Sequence, residues 1–183
     1  HKIHSELNTL ASEAYQPTWV EKPWLSLHAK TKNSDLFVIY SHTEASLWAQ
    51  IAESYPNAQP LSLDLMSLAE MLELLRACDN PVVLYLYHME TDANLDPHRK
   101  GAIALKMIQA FKIVQRLQFG LVIKKAISVN QNSAVVYPYN ALVLGLFQTA
   151  AKEMSNWNVH LFSIDRFEKD TLKEVLHTIE TEK

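Results

Sequence analysis

The chain has 183 residues, 48% of them hydrophobic and 20% charged, and a net charge of −3 at pH 7. That length suits one domain with a sizeable core, and the composition is ordinary for a globular fold. The charge leaves no electrostatic footprint for nucleic acid or an acidic membrane, and no apolar run reaches the ~20 residues that span a bilayer.

The first residues, His1 to Leu10, are polar and do not read as a signal peptide. The absence of an initiator methionine suggests a piece of a longer chain. Residues 15–24, "YQPTWVEKPW", alternate aromatic and polar residues around prolines and read as an extended edge segment. Residues 1–27 are therefore expected to be a linker and an N-terminal extended segment, and 28–183 one α/β subdomain.

From residue 36 a strand–helix rhythm sets in. Strand 36–41 precedes helix 44–55, and strand 58–64 precedes helix 65–78. In that helix Leu68, Met71, Leu72 and Leu75 share a face, and Asp79-Asn80-Pro81 ends it. Strand 81–88 is almost wholly apolar, as a strand covered on both faces should be. A polar loop, 89–97, leads to helix 98–117. Strand 119–128, a loop at 129–138 with room for a short strand, helix 140–154, strand 158–165 and helix 169–183 follow. Strands alternating with helices of this length predict a doubly wound, mostly parallel sheet, Rossmann-like or flavodoxin-like.

Nucleotide-binding versions of that fold depend on glycine at the first strand–helix turn. Glycine makes the turn tight and lets backbone approach a pyrophosphate. This chain has three glycines, Gly101, Gly120 and Gly145, against the usual ~7%. They are too far apart to form a glycine-rich loop. The first turn is Ser41-His42-Thr43-Glu44-Ala45-Ser46. Glu44 should occupy the positive end of the helix and repel a phosphate. Asp64 stands where an acid would bind a ribose hydroxyl, but it reads more simply as a helix N-cap.

Other chemistry is also missing. A reductase tyrosine needs a lysine four residues later to lower its pKa. The residues four beyond the seven tyrosines are Trp19, Glu44, Gln59, Met89, Thr91, Ala141 and Val143. No GxSxG elbow occurs. His1 with His4, and His88 with His98, lack an HExxH or CxxC context, so no metal is expected. His88, at a strand's C-terminal end, reads as a polar loop anchor. Cys78 cannot form an internal disulfide, which fits a cytoplasmic setting. It ends a helix, where the dipole should raise its pKa, and it reads as a small core residue. Trp48, Tyr55, Phe111 and Phe147 read as core. The basic residues of "KIVQRLQFGLVIKK" (112–125) read as a solvated face.

The stretch "YNALVLGLFQTAAKEMSNWNVHLFSID" (139–165) carries Pro138 just before it, then Ala141, Gly145-Leu146, Glu153 and Asp165. It resembles the ketoreductase region of modular polyketide synthases. Met154 departs from that pattern, which has proline after the glutamate. "AISVNQNSAVVYPYN" matches the strand and loop preceding that helix, and "YQPTWVEKPW", with Trp19, looks like the family's opening strand. Such a ketoreductase has two halves. The first is a degenerate Rossmann-like structural subdomain; the second holds the glycine-rich loop, tyrosine and lysine and binds NADPH. The resemblance implies that this chain is the first half, with no catalytic, cofactor-binding or metal-binding residues of its own. Its implied partners are the catalytic half and neighbouring carrier protein, dehydratase or methyltransferase domains, and the implied setting is an assembly line whose acyltransferase acts in trans. Helix 140–154 is broadly apolar, which points to cover on a second side by the 15–27 segment or by a missing domain, and Gly145 within it points to close approach of a neighbouring backbone or to core packing beneath the N-terminal segment. Two other readings stay open: a free-standing α/β enzyme binding a nucleotide or S-adenosylmethionine, and a flavodoxin-like interaction module.

Overall fold

The computed structural model describes residues 35–87, 97–124, 138–164 and 169–181. The expected boundary between residues 27 and 28, the aromatic segment 15–24 and the short strand within 129–138 lie outside them. Five strands are present: β1 (Leu36–Tyr40), β2 (Gln59–Ser62), β3 (Val82–Tyr87), β4 (Leu117–Lys124) and β5 (Trp157–Ile164). The helices are α1 (Ala45–Ser54), entered through a 3-10 turn at His42–Glu44, α2 (Leu68–Arg76), α3 (Pro97–Phe111), α4 (Pro138–Glu153) and α5 (Lys169–Thr181).

The described strands form one all-parallel sheet in the order β2-β1-β3-β4-β5. This is the flavodoxin-like version of the doubly wound fold. The chain steps from β1 to β2 in one direction and from β2 through β5 in the other. With crossovers of constant hand, that reversal puts helices on both faces. α2, α3 and α4 pack on one face around Phe37, Ile39, Tyr85, Phe119 and Phe147. α1 and α5 pack on the other, around Val38, Leu84, Leu86 and Val122. β3, central and covered on both sides, is buried at all six residues. β2 is an edge among the described strands, and Pro60 sits there because an edge can spare one backbone donor.

Local chemistry sets several ends. α2 starts at Leu68, three residues later than the periodicity predicts. Ser67 is its N-cap and exchanges hydrogen bonds with Glu70 in a capping box. α3 stops at Phe111, six residues early. The Asn156 side chain donates to Lys112 O at 3.4 Å and Val114 O at 2.5 Å, so a residue 44 and 42 positions away satisfies the carbonyls at that end. β4 therefore begins at Leu117. The core stacks Phe119 on Phe147, centroids 4.8 Å apart, and on Trp157 at 5.8 Å.

Gly120 is required by packing. A Cβ there would overlap Cδ1 of Ile179 on α5 and stand 3.3 Å from Leu84 Cδ1. Gly145 is different: apart from its own helix backbone and chain neighbours, no described atom lies within 4 Å of where its Cβ would be, and the N-terminal segment expected to cover it lies outside the described residues.

Candidate functional site

In an open α/β sheet, ligands bind at the carboxyl ends of the strands where the chain reverses direction. Here that point lies between β1 and β3. The turn after β1 supplies its floor. Glu44 is 2% exposed. Its Oε2 accepts from the Ser41 amide at 3.1 Å and the Ser41 hydroxyl at 2.5 Å, and its Oε1 accepts from the Thr43 hydroxyl at 2.6 Å. Glu44 N in turn donates to Ser41 O at 3.0 Å. The next amide is also taken. His42 N donates to Asp64 Oδ2 at 2.6 Å, and the imidazole Nδ1 lies 3.5 Å from Asp64 Oδ1.

A phosphate at this turn would be held by backbone amides and hydroxyls. Two of those amides, Ser41 and His42, already face carboxylates of the same chain. The expected repulsion from Glu44 is thus joined by competition for donors. The electrostatics agree. Burial holds the Tyr85 and Tyr87 phenols above the usual range, and the Glu44 charge adds to the rise at both. An arriving dianion would meet negative charge and find those donors engaged.

The expectation that Asp64 caps a helix is corrected. α2 is capped by Ser67, and Asp64 instead accepts from His42 N across the turn. Nothing in the sequence between His42 and Asp64 announces that contact, because parallel pairing of β1 with β2 creates it. Phe111 and Phe147 are core, fully buried. Trp48 and Tyr55 are only half-buried, at the margin of the second core, where Trp48 stacks on Tyr40 at 5.6 Å. Cys78 is half-buried too, its Sγ 3.6 Å from Leu74 O. Its thiol is held above the usual range, first by burial and then by Asp35 and Asp79. Lys112 and Arg116 are solvated as expected, but Lys124 is buried at the end of β4. Its carbonyl accepts from the side chain of fully buried Asn140, which fastens the start of α4 to the sheet and was not singled out in the sequence.

His1, His4 and His88 lie outside the described residues, and of His98 only the helical backbone position is described. Among the described residues no group of three His, Cys, Asp or Glu side chains could hold a metal ion, and no helix is long and apolar enough to cross a membrane. The outer surface of α4 is uneven. Val143, Leu144 and Phe147 face the core, while Tyr139 and Leu142 are about half exposed. No protein-family model matches this chain, and no curated protein matches it either.

Proposed function

We propose that this chain is a non-catalytic structural subdomain of a polyketide synthase ketoreductase, cytoplasmic, serving to scaffold and stabilise a catalytic neighbour. The observation that carries the reading is the turn after β1, whose Ser41 and His42 amides are taken by Glu44 and Asp64. A doubly wound sheet that spends its phosphate donors on its own carboxylates fits a scaffold better than a nucleotide enzyme. The 139–165 stretch, with Gly145-Leu146 and Glu153 in ketoreductase-like positions, supplies the family. The aromatic segment around Trp19 and Trp24 is the proposed contact with the catalytic half, since each large apolar side chain buried there would contribute ~1.5–3 kcal/mol.

Two measurements test this together. Calorimetric titration of the chain with NADPH should give a dissociation constant weaker than ~1 mM, or about −4 kcal/mol. Co-expression with the coding sequence downstream of Lys183 should yield a soluble, NADPH-binding complex, and Trp19→Ala should weaken it. Tight binding by the chain alone, or a downstream half equally stable without it, would defeat the proposal. The β2-β1-β3-β4-β5 order favours one second reading, a flavodoxin-like interaction module with no link to polyketides. That module would also ignore NADPH, but it would not rescue the downstream half.

A further inference from the structure

The outer surface of the α2–α3–α4 layer differs from every other described face. All six exposed large hydrophobic side chains among the described residues lie on this layer or in the turns that begin and end its helices: Leu65, Leu74, Leu105, Ile113, Tyr139 and Leu142. Leu65 is 86% exposed. None belongs to α1 or α5. Single exposed leucines are ordinary, but six confined to one side mark an interaction surface.

Charge on the layer is sorted. Between Asp96 and Glu153 the chain has no acidic residue, yet that stretch holds eight of its 17 lysines and arginines. It builds α3, β4 and α4. Lys106, Lys112 and Arg116 are exposed along and just beyond α3. The α2 side is the opposite. Asp64, Glu70 and Glu73 are exposed there, and the single cation of α2, Arg76, lies 3.5 Å from Glu73. Shape is sorted as well. α2 bears a shallow depression of about 570 Å³ lined by Met66, Ala69, Glu70, Glu73 and Leu74, whereas α3 and α4 raise Leu105 and Leu142.

We propose that this layer is the interface of a two-fold symmetric dimer of this chain. An isologous interface must be its own complement. A two-fold axis lying in the plane of the interface, along the helices and between α2 and α3, lays α2 of each copy against α3 of the other. Acid then meets base twice, and the Leu105 ridge meets the α2 depression twice. A nucleic acid or an anionic membrane would suit α3 but would be repelled by Glu70 and Glu73 beside it. This inference goes beyond the scaffold reading and stands whether or not that reading does.

Sedimentation equilibrium of the 183-residue chain tests it. Wild type should be dimeric at about 10 µM. Leu105→Asp should abolish the dimer. Glu73→Lys and Lys106→Glu should each weaken self-association about tenfold or more by placing like charges face to face. Mixed together, these two variants should form a heterodimer, because both α2–α3 contacts then pair opposite charges. All three sites are exposed, and circular dichroism matched to wild type confirms that the variants fold. A monomeric wild type at about 100 µM would overturn the proposal, as would a dimer unmoved by Leu105→Asp or a mixture that shows no rescue.

Discussion

Replacing Glu44 with alanine separates a turn organised by its own carboxylate from one in which that carboxylate is incidental. Three donors meet Glu44: the Ser41 amide, the Ser41 hydroxyl and the Thr43 hydroxyl. The two hydroxyls already lie 2.8 Å apart and can satisfy each other. The Ser41 amide cannot rotate, so it is the donor left without a partner. An orphaned, part-buried donor costs about 1–3 kcal/mol, and the Ser41 and Thr43 hydroxyls, exchanging a carboxylate acceptor for each other, lose about 1 kcal/mol more. The total is about 2–4 kcal/mol. For a domain of this size each kcal/mol moves the melting temperature by about 2–4 °C, so Glu44→Ala should lower Tm by about 5–15 °C. Glu44→Gln keeps an oxygen for the amide and should cost about 1 kcal/mol, a few degrees. Thermal unfolding followed by far-ultraviolet circular dichroism measures both. A Glu44→Ala protein melting within about 1 °C of wild type would refute the argument. A Gln variant as damaged as the Ala variant would show that charge, not hydrogen bonding, organises the turn.

Gly120→Ala should destabilise by about 1–3 kcal/mol, because the added methyl overlaps Ile179 Cδ1. Ile179→Val deletes that atom, so the double variant should recover part of the loss in denaturant unfolding; a double variant worse than the sum of the singles would contradict the packing account. Burial, Asp35 and Asp79 hold the Cys78 thiol above its usual pKa, so it is protonated at neutral pH and becomes a thiolate only as pH rises further than for a free cysteine. Its reaction with a disulfide reagent at neutral pH should be slower than that of free cysteine and should climb steeply in alkali; a rate matching free cysteine would count against this.

Much of the fold was legible in the residues. Periodicity alone places five strands and five helices, because a strand buried on both faces, such as 82–87, and an amphipathic helix, such as 68–76, write different patterns. The scarcity of glycine and the acid at position 44 already argue against a phosphate loop, since both are local properties of one turn. Tertiary structure decided the rest. Strand order is not encoded in any one strand; it follows from which neighbours complete a common core. α3 ends at Phe111 because Asn156, distant in sequence, arrives to take Lys112 O and Val114 O. Asp64 serves His42 rather than a helix because parallel pairing brings the ends of β1 and β2 side by side. Exposure of Leu105 and Leu142 likewise depends on how α3 and α4 are turned against the sheet, which spacing narrows but packing fixes. Local pattern is a property of neighbours in the chain, whereas donors, charges and apolar faces find their partners only once the sheet has brought distant residues together.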